Sequence, residues 1–393
     1  MRKLTWKAAV SAAAIAAGVA IPMAAKADTV TTNGVTWTYV TNNDGTRTIT
    51  LGDGKATAMP VGAEWEAAAI PGKFVIDGET YTVTRFADNA FNGCTGLKGD
   101  LRIPYSVTHG GNQCFRGCTG LTGIASWGGL VAFKQGNFLT HCTNLKGPLP
   151  SFSQFTGLGS GSYTNTYAMF NECTSLQGVC INGDIKLNVE YMFRKATSMK
   201  ILLAGPNTLV TEGRDKGSTF NDVESCKAIV PSAGWAGWKT GGLNGGSNIN
   251  VTYYGPDEEI TSLSIDEIQR VVAMTPTTPG SLVKAMELAP LFKNHLDLDT
   301  RINVMNTLDL TGVTITPAMV SGVTFDRLMF SAKTQAELNA ILTAFPATTP
   351  ISIDPTGLTE KMVIPDTYPN VYVKTVTGVT IKRTTSGFVI GVK

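Results

Sequence analysis

One eight-residue pattern recurs along the middle of this chain, and a chain that repeats itself at such a period folds as an array of stacked units. Ala90-Phe91-x-x-Cys94-x-x-Leu97 returns as Cys114-Phe115-x-x-Cys118-x-x-Leu121. It returns again as Phe138-Leu139-x-x-Cys142-x-x-Leu145 and as Met169-Phe170-x-x-Cys173-x-x-Leu176. Two degenerate copies follow, Met192-Phe193-x-x-Ala196-x-x-Met199 and Thr219-Phe220-x-x-Val223-x-x-Cys226. The first two steps between the Cys positions are 24 residues each, and the later ones run from 23 to 31. One such unit cannot bury its own apolar face, whereas a stack of them can. Within a unit, the Phe (Leu139 in the third copy), the residue before it, the Cys and the Leu are expected to point inward. A short strand then follows, clearest in Leu121–Ile124 and Leu176–Ile181. The first unit (Leu97, Leu101, Ile103) carries one extra residue, which predicts a bulge there.

The unit resembles the BspA-like leucine-rich repeats of bacterial surface proteins, which run roughly Ala-Phe-x-x-Cys-x-x-Leu-x-x-Ile-x-Ile-Pro. Ala90-Phe91, Cys94, Leu97 and Ile103-Pro104 carry the likeness, which spans about residues 70–254. Ile229-Val230-Pro231, Trp235, Trp238-Lys239 and Tyr253-Tyr254 look like the closing cap of such an array. The resemblance implies a secreted or cell-surface protein, and adhesion to host or neighbouring-cell proteins. A shared fold does not by itself name a ligand.

Four parts are expected. Residues 1–27 read as a signal peptide: Arg2, Lys3 and Lys7 precede an apolar and small-residue run from Ala8 to Ala25, and Ala25-Lys26-Ala27 suits cleavage after Ala27. Residues 28–85 read as an N-terminal β-hairpin cap. Val35–Val40 and Thr46–Leu51 alternate, and Asn43-Asp44-Gly45, Asp53-Gly54 and Asp77-Gly78 mark turns. Residues 86–254 are the repeats. Residues 255–393 read as a C-terminal α/β domain, either a second repeat array or a compact α+β unit.

In that last part, helices are expected from Ser264 (as N-cap), over Ser281–Ala289, Thr316–Val320 and Gln335–Phe345. Strands are expected at Thr307–Leu310, Arg327–Phe330, Pro350–Asp354 and Val371–Val373, with a closing hairpin over Val376–Val392 turning at Thr384–Gly387. The fold class is therefore a β-rich repeat solenoid of leucine-rich-repeat type, with a β-hairpin cap before it and an α/β domain after it.

Charge narrows the partners. The net charge is +2, but four of the 32 basic residues lie in residues 1–27, leaving 28 against 30 acidic ones and a mature chain near −2. No basic run remains, which argues against a nucleic-acid partner. No later segment is apolar enough to span a bilayer.

No cofactor, metal or catalytic constellation is expected. All seven cysteines lie in the repeats, and most occupy sites held elsewhere by small or apolar residues, which makes them buried fillers rather than a disulfide set. Cys114 and Cys118 are four apart, so no C-x-x-C pair exists for zinc. Asn42-Asn43-Asp44-Gly45 lacks the calcium-loop spacing. Gly-rich 157–161 lacks the helix that a phosphate-binding loop needs. His141 adjoins Cys142, but neighbours on extended backbone point opposite ways, so His109 and His141 read as exposed turn residues. Asp257-Glu258-Glu259 reads as a solvated joint and Asp297-Leu298-Asp299 as an acid pair starting a helix. Carboxylates for glycoside cleavage must flank a cleft, and nothing frames these.

Recognition is the function left. Trp127, Phe133, Phe152, Phe155, Tyr163 and Tyr167 cluster where the repeat pattern does not demand aromatics, and either anchor a partner or cover the ends of the core. Three readings follow: a non-enzymatic protein-interaction or adhesion module, a carbohydrate-binding surface protein, and an enzyme with a site near His295, Asp297, Asp299 and Arg301.

Overall fold

A computed structural model of the protein describes residues 27–43, 46–133, 136–155, 166–210, 218–235, 249–310, 324–385 and 387–392. Asp28–Thr32 pairs antiparallel with Val35–Thr41 through Asn33-Gly34, both at positive φ (49° and 78°). That is the backbone a two-residue hairpin turn requires. Val35, Trp37 and Tyr39 alternate inward, as the period-two pattern predicts. Trp37 packs at 5.0 Å from Trp65, 5.8 Å from Phe74 and 6.3 Å from Phe91, the plug of the first repeat unit. The turn at Asp77-Gly78 joins Lys73–Ile76 to Glu79–Phe86 as expected, whereas Asp44-Gly45 lies outside the described residues.

The repeat units stack in parallel. Trp65–Glu66, Leu97–Arg102 and Leu121–Ser126 form one sheet, and its register shifts put the extra residues, Thr122 and Ala125, in the second unit's strand rather than in the first unit, where a bulge was expected. Gly178–Ile181, Ile201–Ala204, Cys226–Pro231 and Ile249–Tyr254 form another. Between them lies Leu145–Pro150, where Pro148 and Pro150 have no N–H to give a strand ladder. The stack is still continuous, because Lys146 N–H bonds to Thr122 O (3.0 Å) and Gln177 N–H to Lys146 O (3.0 Å).

The Phe-x-x-Cys turn is built the same way in every unit. The residue before the Cys position is left-handed throughout: Gly93, Gly117, His141, Glu172, Lys195 and Asp222 have φ between 57° and 74°. For a side-chain-bearing residue that conformation costs about 1–2 kcal/mol. Ladder bonds to the next unit offset it, with the N–H of Gly117, His141, Glu172 and Lys195 reaching Thr140, Asn171, Arg194 and Asn221 carbonyls at 2.7–2.8 Å. Inside, the rings stack from unit to unit: Phe91 on Phe115 at 4.8 Å, Phe170 on Phe193 at 5.8 Å, and Phe193 on Phe220 at 5.4 Å.

The thiols form a second internal column. Cys118 Sγ donates to Phe91 O (3.0 Å), Cys142 Sγ to Phe115 O (3.1 Å) and Cys173 Sγ to Leu139 O (3.2 Å). A cysteine here is a small apolar filler whose weak S–H donor faces the carbonyl of the unit before it.

The C-terminal part corrects one expectation. Ile260–Asp266 is a strand, not a helix, and it pairs antiparallel with Val271–Pro276. Asp266 carboxylate oxygen accepts from the N–H groups of Ile268 and Gln269 at the tip. Helix α1 follows over Pro279–Leu296, with Thr278 and Ser281 forming a reciprocal cap and Pro279 in its first turn. A second correction concerns Asp297, which ends this helix in a left-handed cap (φ 53°), while Asp299 opens the strand Asp299–Asp309.

Helix α2 spans Gln335–Ala344. Val271–Pro276, Asp299–Asp309, Thr324–Ser331, Ile351–Asp354 and Val371–Val373 pair in parallel; the last four overlap the expected strands, with Asp299–Asp309 starting eight residues earlier, and Val271–Pro276 was not expected. Val379–Thr384 and Gly387–Val392 form the closing hairpin, joined by Met362–Pro365. The helix expected at Thr316–Val320 lies outside the described residues. No described helix is long and apolar enough to cross a membrane.

The junction near residue 255 does not separate two cores. Tyr254 pairs with Ile260, so the repeat sheet runs on into the C-terminal strands. Val179, Ile181, Leu202, Ala204, Ala228 and Val230 face the repeat interior. The alternate residues Cys180, Ile201, Leu203 and Ile229 face a second core with Leu282, Met286 and Phe292 of α1.

Candidate interaction surface

The six aromatics singled out in the sequence do not share one surface. Trp127, Phe152 and Phe155 are buried at 1%, 0% and 1% exposure, with ring centroids 5.3–5.6 Å apart, and Trp127 Nε1–H donates to Pro150 O (3.0 Å). They are corrected from contact residues to an internal plug: the loops of the second and third units fold inward and fill the core. Phe133 lies in the strand Ala132–Phe133, with its side chain outside the described set, and Tyr163 lies outside the described residues altogether.

Tyr167 remains at the surface, half-buried, and it has company that sequence reasoning missed. Its ring meets Tyr191 edge-on at 5.7 Å, and the Arg194 guanidinium lies 5.7 Å from the Tyr191 ring centre. Burial, then Glu190 and Tyr191, push the Tyr167 hydroxyl up, and Arg194 pulls it partly back. Beside this trio runs the left-handed column. His141 Nε2–H reaches Glu172 Oε2 at 2.8 Å, and Lys195 Nζ donates to Glu172 Oε1 at 3.2 Å. His141 is thus a turn residue, as expected, but a paired one. The signal was present in the repeat alignment, since residues at one repeat position become neighbours in a stack.

The outer face of the repeat strands divides between the two sheets. Over the first units it is open, with Lys98, Asp100, Arg102 and Thr122 exposed, Thr122 Oγ1 bonded to Asp100 Oδ1 (2.8 Å) and Lys98 paired with Glu64. From Gly178 onward, α1 covers it. A Cβ on Gly178 would lie 2.9 Å from both the His295 carbonyl oxygen and a Leu296 methyl, so only glycine admits the helix end this closely. The hairpin tip adds a clasp. Glu267 accepts from Ser151 Oγ (2.7 Å) and Asn182 Nδ2 (2.7 Å) through one oxygen, and from Ser153 Oγ (2.8 Å) through the other. Replacing Glu267 with alanine should destabilise the junction by about 1–3 kcal/mol. Faster amide exchange over residues 260–276 would register it, and wild-type exchange there would refute it.

Chemistry has little to work with among the described residues. Asp297 and Asp299 are held by surface cations, Asp297 by Arg270 (2.8 Å) and Asp299 by Lys293 (2.9 Å), while His295 turns toward Gln177 (3.2 Å). No three His, Cys, Asp or Glu side chains among the described residues gather closely enough to hold a metal. All seven cysteines are buried free thiols. Burial raises Cys94, Cys142 and Cys180 from the usual 9.0 to about 12 and keeps the others raised as well. A thiol raised in the folded state leaves stability intact below its unfolded value and removes it as pH climbs toward the folded one. Stability should therefore fall between about pH 9 and 12 as unfolded thiols ionise, and a disulfide-exchange reagent at pH 8 should find no reactive thiol until the chain unfolds. Rapid labelling of the native protein would contradict this.

Comparison with known proteins gives a partial match. Residues 79–166, under a quarter of the chain, match the family model described as "BspA type Leucine rich repeat region (6 copies)". A leucine rich cell surface protein from Faecalibacterium prausnitzii A2-165 is 13% identical, covering 80% of this chain and 98% of its own, with a TM-score of 0.29. A leucine-rich repeat protein from Bacteroides ovatus ATCC 8483 is also 13% identical, covering 81% and 98%, with a TM-score of 0.25. Both scores are too low for the whole chains to superpose. No curated protein matches the sequence.

Proposed function

From a chain whose residues 79–166 are a BspA-type leucine rich repeat region, we propose a secreted or cell-surface module that binds other proteins and carries out no chemistry of its own. In this reading residues 1–27 direct export, residues 86–254 form a solenoid, and residues 28–85 and 255–393 close its two ends. The carrying observation is the turn-side patch of consecutive units, where Tyr167, Tyr191 and Arg194 stand beside the His141–Glu172–Lys195 column. Tyrosine and arginine are the residue types that anchor protein interfaces, and a ladder-bonded backbone presents them with little ordering cost.

The test is a binding screen of the protein from Asp28 onward against extracellular matrix proteins and neighbouring cells. Tyr191→Ala and Arg194→Ala should each weaken a partner found there by roughly tenfold, about 1.4 kcal/mol. A screen without partners, or a partner indifferent to both substitutions, overturns the reading. Glycan capture stands as the second reading, favoured by Lys146, Lys200 and Lys227, each the residue after the Leu position of its unit.

A further inference from the structure

The geometry points to a binding site for an anionic glycan, one bearing sulfate or carboxylate groups, along a lysine row that ends in a pocket under helix α1. This rests on the glycan-capture reading and names its ligand class, and it uses a different side of the repeats from the protein-binding patch. The residue after the Leu position of each unit is Lys98, Thr122, Lys146, Gln177, Lys200 and Lys227 in turn. Their backbones are joined unit to unit: Gln177 N–H to Lys146 O at 3.0 Å, Lys200 N–H to Gln177 O at 2.8 Å, and Lys227 N–H to Lys200 O at 2.9 Å. Lys227 pairs in register with Ile201, one residue past Lys200, and both lysines line one cleft, while Lys146 lies two units before Lys200.

Like charges gathered at one cleft are unfavourable unless something neutralises them. Lys98 has Glu64, but among the described residues neither Lys146 nor Lys200 is in ion-pair contact with a carboxylate, and Lys227 meets only Glu287, at 3.9 Å. The row ends in a cleft of about 350 Å³ lined by Lys200, Ser225, Cys226, Lys227, Asn250 and Leu291. Two lysines, a serine, an asparagine and an aliphatic wall suit one charged sugar ring. Asn250, beside Lys227 on the next strand, places a neutral hydrogen-bonding group where a sugar hydroxyl would fall, whereas the Gln177 side-chain oxygen is already engaged by His295. No aromatic stands in the row to stack a base, which favours a glycan over a nucleic acid.

Titration of the protein from Asp28 onward with dextran sulfate, polygalacturonate, uncharged dextran and a short DNA duplex tests the site. The two anionic glycans should bind, increasingly weakly as salt is raised, and dextran should not. Lys200→Gln and Lys227→Gln should each weaken binding by roughly tenfold, the scale of one charge-assisted contact. Lys361→Gln and Lys382→Gln, exposed and beside or within the separate closing sheet, should change nothing. Unfolding midpoints identify any variant that damages the fold; if Lys227→Gln does, Lys200→Gln decides alone. The site is overturned if dextran binds as well as dextran sulfate, if neither binds, if the control lysines matter equally, or if DNA binds as tightly. Tyr191→Ala should leave glycan binding intact, which keeps this result separate from the turn-side reading.

Discussion

Phe193→Ala is expected to lose about 3–5 kcal/mol, the usual cost of truncating a fully buried Phe. Phe193 is 0% exposed and lies between two parallel rings, Phe170 at 5.8 Å and Phe220 at 5.4 Å. Truncation therefore removes two aromatic contacts, each contributing about 0.5–1.5 kcal/mol beyond area burial. Collapse cannot fill the space, because the backbone on both sides is pinned: Phe193 N–H bonds to Thr219 O (3.0 Å) and Phe170 N–H to Met192 O (2.9 Å). In a stack the damage passes through unit interfaces, so exchange should quicken over residues 166–231 before it does near residue 90. Urea denaturation with amide exchange would measure both. A loss under about 1 kcal/mol would mean that the ring column does not hold the units together.

Much of this architecture was legible because repetition converts sequence distance into spatial contact. Phe, Cys and Leu at fixed offsets gave the interior columns, and period-two alternation around Asp77-Gly78 gave a hairpin. The failures share a cause. Ser264-Ile265-Asp266-Glu267 carries helix-start chemistry, and Asp266 does accept from N–H groups two and three residues on, but that bond opens a turn as readily as a helix. Pairing of Ile260–Asp266 with Val271–Pro276 decided between them. Trp127, Phe152 and Phe155 stand outside the repeat pattern, and nothing local says whether a loop turns in or out. The lysine row was hidden in the opposite way: its members are 23 to 31 residues apart from Lys146 on, so no basic run exists until the units stack. Tyr191 and Arg194 belong to one degenerate copy, and the repeat pattern specifies only its interior positions.

Leu203→Asp should be the other severe substitution, and it tests how the two halves of the chain are joined. Ile201–Ala204 is buried on both faces, with Leu202 and Ala204 turned to the repeat interior and Ile201 and Leu203 to the core shared with α1. Leu203 is 0% exposed, and Ile229 beside it on the next strand is equally buried, so a carboxylate there would find neither water nor a cation. An uncompensated buried charge costs about 3–5 kcal/mol, and the chain relieves it by lifting α1 away or by unfolding. The first unit supplies the control. Asp100 lies on the separate, open sheet of the first units, exposed and bonded to Thr122, so Asp100→Leu should change stability by no more than about 0.5 kcal/mol. Denaturation midpoints of the two variants, with exchange over residues 279–296, separate the outcomes. Equal effects would mean that α1 does not cover the later units in solution. Unequal ones would mean that this chain uses its own C-terminal residues as the permanent occupant of half the repeat face, leaving the first units and the turn side for partners.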